Sequence, residues 1–420
     1  MKTEAFDVVV VGGGAAGMAA ALGVGNHGLN VAIVEREEVL GGILLQCIHN
    51  GFGLHRFKEE LTGPEYAERS LEEVDASENI KVFLETTVVE INEEDDQKTV
   101  VTYSSQNNVV ALTARAVILA AGCRERNRGN IGIPGGRPAG VFTAGLAQRL
   151  VNIEGYVPGK EAVIVGSGDI GLIMARRLSW VGVKVKAVVE IMPYPSGLTR
   201  NIVQCLHDYD IPLYLSHSIT KIHGGDRVGR VTISPLEDGV PDTDKSFDID
   251  CDTLLFSVGL IPEVELVKSV NVKINHDTNG PYVDNDLMTN VPGIFACGNV
   301  LHVHDLVDFV SEESERCGQY AVEYLERNTV RDGQCPVRPG ANLKYIVPNQ
   351  FMPATDNHFY MRTLIVKNDA VLTVKFGDQI IKTKKLRHIQ PSEMISLSLL
   401  KKELADLDLD SDRQLEISVN

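Results

Sequence analysis

Aromatic residues are scarce. Phe, Tyr and Trp make up 6% of the chain and Trp180 is the one tryptophan, too few for a platform that stacks nucleic-acid bases. Positive charge is also short: 40 Lys and Arg stand against 57 Asp and Glu, a formal net charge of −17, so a polyanion would be repelled rather than steered in. The seven cysteines (47, 123, 205, 251, 297, 317 and 335) are odd in number and dispersed, with no C-x-x-C. That excludes a secreted disulfide framework and a structural zinc site, and it fits reduced thiols in the cytoplasm. Uncharged runs are few, but Val8 to Gly25 has the length at which a membrane helix is suspected. Glu4 and Asp7 precede it where a signal peptide would carry basic residues, and Gly12-Gly13-Gly14 would break a spanning helix. A strand–turn–helix is expected there instead.

What is present is ordinary globular material, 44% hydrophobic and 23% charged, with a length that suits two or three domains. Its 38 glycines gather in a few loops, which therefore carry the interest. The run Val8-Val9-Val10-Val11 is β-branched throughout and suits a parallel strand buried on both faces. Gly12-x-Gly14-x-x-Gly17 follows, then a helix-compatible stretch from Ala15 to Gly25, then the strand Val31 to Val34, which ends on Glu35. Strand, glycine turn, helix and terminal acid in this register form a dinucleotide-binding fingerprint. The first Gly permits the tight turn, the second admits a pyrophosphate, and the third lets the helix pack on the strand. The helix N-terminus then faces the phosphates, and the acid accepts ribose hydroxyls.

A second copy begins with Ala162 to Val165, continues through Gly166-x-Gly168-x-x-Gly171 and the helix Leu172 to Val181, and ends its next strand on Glu190. The duplication runs further. Ile80 to Leu84 opens a β-rich region interrupted at Glu93-Glu94-Asp95-Asp96 and closed by Ala116 to Gly122. Ile211 to Leu215 opens its counterpart, interrupted at Gly224-Gly225-Asp226 and closed by Thr253 to Gly259. The chain therefore carries two nucleotide sites on an α/β fold. Beyond residue 340, short strands are expected at 343–347, 359–366, 371–376 and 415–419, forming a small β-domain with little Gly and no recognisable chemistry.

These motifs, together with Gly293-Ile294-Phe295-Ala296-Cys297-Gly298-Asn299, resemble the flavoprotein pyridine-nucleotide oxidoreductases built from two dinucleotide-binding domains. The resemblance covers residues 5 to about 330. It implies two Rossmann-like domains, with an NAD domain (146–261) inserted between the two parts of an FAD domain (1–145 and 262–335) and followed by a β-rich domain (341–420). It places FAD at Gly12, Gly14, Ala15, Ala16, Gly17, Glu35, Arg36, Gly42, Ala121, Gly122, Gly298 and Asn299. Asn299 stands where the family has an Asp that contacts the ribityl chain; an amide still donates and accepts there. The nicotinamide nucleotide falls to Gly166, Gly168, Asp169, Ile170, Gly171, Glu190 and Gly259. Glu190 favours NADH over NADPH, because a carboxylate accepts from both ribose hydroxyls but repels a 2′-phosphate.

The stretch Gly41 to Gly51, where disulfide reductases carry a redox pair, holds Cys47 alone, so a dithiol relay is not expected. Cys47 remains a candidate redox thiol that could form a sulfenic acid, against the alternative of a buried apolar cysteine among Leu44, Leu45 and Ile48. Two longer strings, Cys123 to Gly145 and Asn299 to Asp308, are similar to NADH-side flavoprotein subunits of the opine oxidase, hydrogen cyanide synthase and amino-acid dehydrogenase group. That similarity implies a partner dehydrogenase or oxidase flavoprotein and, in several members, an iron–sulfur centre. No Cys follows Cys335, so such a centre would sit on another polypeptide. His302 and His304 lie beside the flavin motif, ahead of a helix expected to start near Asp305 or Ser311, and could tune the flavin or shuttle protons. No third ligand is evident for a metal. Arg124, Arg126 and Arg128 read as a solvated crossover loop.

The function expected is transfer of hydride from NADH to FAD, with electrons passing to a partner subunit or small acceptor. Direct oxidation of an amine, amino acid or hydroxy acid, and a non-catalytic flavin-bearing assembly protein, are the alternatives. Neither nucleic acid nor a membrane span is expected; a homo-oligomer is left open.

Overall fold

The computed structural model describes residues 2–94, 96–327, 329–405 and 414–420. Asp95, in the expected acidic turn, lies outside them. The chain forms two compact units, residues 1–123 with 262–420, and residues 124–261.

In the first unit, Val8–Val11 is at most 4% exposed and lies in the middle of a five-stranded parallel sheet. The order is Ile294–Ala296, Ala116–Leu119, Val8–Val11, Val31–Val34, Ile80–Phe83. Parallel strands covered on both faces need apolar side chains on both, which is why this segment does not alternate. The expected β-meander is there: Thr86–Glu94, Gln97–Ser104 and Asn108–Ala114 pair antiparallel, and Lys2–Ala5 adds a parallel edge strand.

The second unit repeats the plan. Its parallel sheet runs Val141–Thr143, Thr253–Phe256, Glu161–Val165, Lys184–Glu190, Leu213–Leu215. The closing strand lies beside the first strand in both units. A meander of His217–Gly224, Val228–Glu237 and Phe247–Asp250 corresponds to the one in the first unit.

Helices Ala15–Gly25 and Val307–Arg327 cross closely in the first unit, and two glycines explain how. A Cβ on Gly23 would stand 2.5 Å from the Glu315 carbonyl oxygen, and one on Gly318 would stand 2.3 Å from that of Ala20. The backbones touch because neither carries a side chain.

Residues beyond 334 build two small antiparallel-rich sheets around a core of their own, including Phe351, Phe359, Leu372, Phe376 and Leu415. They belong to the same compact unit as the first nucleotide fold, and Tyr345 and Val347 join that fold's core. The structure adds strands Cys335–Pro339, Gln379–Ile389 and Met394–Leu399 to those expected from sequence. Gln379–Ile389 escaped notice for a physical reason. It is a mostly exposed strand rich in Lys and Arg, paired with Lys367–Phe376, and it lacks apolar alternation. Among the described residues no helix is long and apolar enough to cross a membrane.

Gly318→Val should force the two crossing helices apart. The expected cost is about 1–3 kcal/mol, read as a lower urea midpoint; an unchanged midpoint would mean that the crossing tolerates a side chain.

Candidate functional site

In the first fingerprint, two of the three glycines are required by the protein itself. Gly12 has φ +105°, and its Cβ would lie 2.6 Å from the Ala120 carbonyl oxygen; a Cβ on Gly17 would lie 1.8 Å from the Gly12 oxygen. Gly14 is different. Its backbone is extended at φ −74°, which any residue adopts, and nothing lies within 4 Å of a Cβ placed there. The protein gives no reason for a glycine at that point, so the space belongs to something that approaches the backbone closely.

Gly14 caps the helix Ala15–Gly25 without a side-chain hydrogen bond, and the first turn holds no acid. The amides of Ala15, Ala16 and Gly17 therefore sit at a helix N-terminus suited to an anion. Gly42, at φ +53°, packs its α-carbon region against Gly14, and Gly298 packs on Ala16, where a Cβ would come within 2.7 Å of the Ala16 Cβ. Gly122, at φ +70°, also has open space before it and follows the partly exposed Ala121. Arg36 is exposed, with Glu37 at 3.8 Å.

Glu35 is buried, and its two oxygens accept from the Gly13 amide at 2.7 Å and the Glu37 amide at 2.9 Å. Asn299 turns back into its own loop, where Oδ1 accepts from the His304 amide at 3.1 Å.

The second fingerprint repeats this geometry. A Cβ on Gly166 would meet the Ser257 carbonyl oxygen at 2.0 Å and one on Gly171 the Gly166 oxygen at 2.6 Å, while Gly168 has only Ser257 Oγ, at 3.8 Å. Again the middle glycine alone is unexplained by the protein. Buried Glu190 accepts from the Ser167 amide at 2.9 Å and the Met192 amide at 3.0 Å, positions equivalent to Gly13 and Glu37. It also accepts from the Ser167 hydroxyl at 2.6 Å and the Ser196 hydroxyl at 3.0 Å, contacts without counterpart at Glu35.

Asp169 is turned toward its own unit, accepting from the Leu198 amide and the Asn201 side chain, with Ile170 half-buried beside it. Gly259, at φ +94°, has the Arg126 side chain near it. Arg176 stacks on Trp180 and Arg177 donates to Asn152, so neither side chain turns to Glu190. Arg128 donates to the carbonyls of Ile133, Gly135 and Gly136, holding its loop together.

His302 and His304 are brought together by a residue that sequence reasoning missed. Glu313, 1% exposed on the helix Val307–Arg327, places Oε2 at 2.8 Å from His302 Nε2 and 3.2 Å from His304 Nε2. Its other oxygen accepts from the Gly298 amide at 2.8 Å. Burial and the adjacent His304 push the His302 pKa below the ordinary imidazole value. Burial works to raise Glu313, but His304 and His302 outweigh it and hold the carboxyl far below the usual range. The signal available was a carboxylate on the apolar stripe of an amphipathic helix, next to Val310, Ser314 and Cys317.

Cys47 is half-buried, and desolvation pushes its thiol up to about 12, which opposes the thiolate that redox chemistry needs. Cys297 and Cys317, 20 residues apart, place their thiols side by side, a pairing the sequence did not reveal; both are fully buried.

A family model for the pyridine nucleotide-disulphide oxidoreductases matches residues 6–319. The chain belongs to the pyridine nucleotide-disulphide oxidoreductase family. Members of this family are FAD- and NAD(P)-dependent oxidoreductases, and the two open middle glycines fit a pair of dinucleotides. The HcnB subunit of hydrogen cyanide synthase from Pseudomonas protegens is 28% identical over 65% of this chain and 60% of its own length. An opine oxidase subunit from Agrobacterium tumefaciens is 24% identical over 71% and 61%. The chain thus spans about three-fifths of each of these relatives. Thioredoxin reductase from T. acidophilum superposes with a TM-score of 0.62 at 25% identity, over 77% of this chain and 99% of its own.

Gly14→Val should fold and lose its flavin, because its Cβ enters open space with nothing within 4 Å and its methyls fill the approach to the backbone. A fully flavinylated Gly14→Val, by absorbance at the flavin bands, would remove the first fingerprint from FAD binding. With its thiol near 12, Cys47 should alkylate at pH 8 about a thousandfold more slowly than a cysteine at the ordinary value. Peptide mass spectrometry after an iodoacetamide time course reads this, and fast labelling of Cys47 would reveal an activated thiol.

Proposed function

We propose that the protein is an FAD-dependent NADH:acceptor oxidoreductase, with FAD on the Gly12–Gly17 turn, NADH on the Gly166–Gly171 turn, and electrons leaving to a partner subunit or a small acceptor. The observation that carries this is the duplicated geometry: in both halves the middle glycine faces open space and a buried glutamate ends the next strand. Bound FAD supplies the two-electron carrier between a hydride donor and an acceptor; the protein binds, orients and excludes water. The amides of residues 15–17 hold one pyrophosphate at a helix N-terminus, and those of residues 169–171 hold the other. Glu35 and Glu190 turn remaining lone pairs toward the ribose hydroxyls while backbone amides fix their rotamers.

Two relatives named as subunits, of hydrogen cyanide synthase and of opine oxidase, support a partner polypeptide as the acceptor side. Buried Cys297 and Cys317 are unsuited to a dithiol relay, and Cys47 is protonated, which favours an acceptor other than a disulfide.

Four hydrogen bonds hold the Glu190 charge where the 2′ substituent of the adenosine ribose would lie. One misplaced charge contact of this kind costs about 2–4 kcal/mol, roughly 30- to 1,000-fold in specificity. The expected kcat/KM with NADH exceeds that with NADPH by at least about tenfold, and the gap narrows in Glu190→Ala. Equal use of both nucleotides by the unaltered enzyme would overturn the assignment.

A further inference from the structure

We propose that His302, His304 and Glu313 form a binding site for one divalent transition-metal ion, separate from both nucleotide turns. The three side chains come from two elements but converge on one point: their ligand atoms all lie within 4.8 Å of one another. The loop that carries the histidines is fixed from several sides. The His302 amide donates to the Gly298 carbonyl at 3.2 Å, Asn299 accepts from the His304 amide, and Arg362 donates to the Val303 carbonyl at 3.0 Å. Tyr345 and Tyr360 close over the imidazoles, with Tyr360 ring centroids 5.6 Å from His302 and 5.1 Å from His304.

The second observation is unmet hydrogen bonding. His302 Nδ1 and both nitrogens of His304 lack a hydrogen-bond partner, on side chains that are fully buried. Of these, His304 Nε2 faces the Glu313 carboxylate, and it is this nitrogen that an ion between the three side chains would meet, with both Nδ1 atoms outside its shell. A carboxylate hydrogen bond satisfies His302 Nε2, while His304 Nε2 stands 3.2 Å from the same oxygen without hydrogen-bond geometry. A cation between the three takes the Nε2 lone pair of each histidine and the glutamate oxygen together.

Two imidazoles and a carboxylate are the donor set of zinc and of non-haem ferrous ions. Metal–ligand distances of about 2.0–2.2 Å require the two spacings to Glu313, 2.8 and 3.2 Å, to open by a few tenths of an ångström, with the two histidines adjusting within the 4.8 Å span of the cluster. The nearby guanidiniums have carboxylates of their own, Arg362 with Asp305 and Arg316 with Glu312. An ion there would tie the loop after the Gly298 motif to the helix Val307–Arg327, beneath Tyr345 and Tyr360, a clamp rather than a redox group if the ion is zinc.

The test uses the flavin-loaded protein, stripped with a chelator, equilibrated with Zn²⁺ or Co²⁺ and passed through gel filtration before elemental analysis. About one metal per chain is expected, falling to roughly a tenth or less in His304→Gln and Glu313→Gln. Should either variant fail to fold, the cobalt-loaded unaltered protein decides. Visible ligand-field bands of a low-symmetry nitrogen–oxygen site support the proposal. A protein that retains no metal or shows no such bands, or variants that load as well as the unaltered chain, overturn it.

Discussion

Each half of this protein turns on an approach of helix to strand so close that a hydrogen is the only tolerable side chain. Gly17 sits over the Gly12 carbonyl and Gly171 over that of Gly166, with Gly12 and Gly166 themselves pressed against the closing strands at Ala120 and Ser257. Because these contacts are backbone to backbone, they set the height and tilt of the helix on the sheet. That in turn aims its free amides past Gly14 and Gly168 into the two open spaces. The parallel sheets, their buried valine strands and the strand order are what make that approach possible.

Glu35 and Glu190 show how a duplicated plan diverges. Both carboxylates accept from the amide inside the glycine turn and from the amide two residues further along the chain. Only Glu190 adds two serine hydroxyls, and the loop at 196–201 closes against it through Ser196 and Asp169. The first site is therefore held by backbone alone, while the second also depends on two side chains, one 23 residues before Glu190 and one 6 residues after it. Arg176 and Arg177, close to Glu190 in sequence terms, are directed to Trp180 and Asn152 instead.

The C-terminal sheets are more than an appendage. Arg362 reaches Val303 and Asp305, the Met394 amide donates to Asp305, and Tyr345 and Tyr360 cover the histidines. The loop that follows the Gly298-Asn299 motif is thus enclosed by residues about 40 to 90 positions further along the chain. A stretch without recognisable chemistry of its own supplies the roof over the buried cluster of His302, His304 and Glu313.

Sequence by itself determined what depends on neighbours a few residues away. The β-branched runs at Val8 and Ala162, the helix Ala15–Gly25, the glycine spacings and the terminal acids are local patterns, and the duplication appears because those patterns recur in order. Strands Leu343–Val347 and Leu415–Val419 were legible for the same reason, whereas the lysine-rich Gln379–Ile389 was not, since a strand that gains its order from one partner need not alternate. Tertiary structure alone decided which side chains share a site. Glu313 meets His302 and His304 because the helix Val307–Arg327 crosses over Gly298, and Cys317 meets Cys297 by the same crossing. Such contacts depend on the angle at which Gly23 and Gly318 let two helices touch, and no short-range pattern encodes that angle.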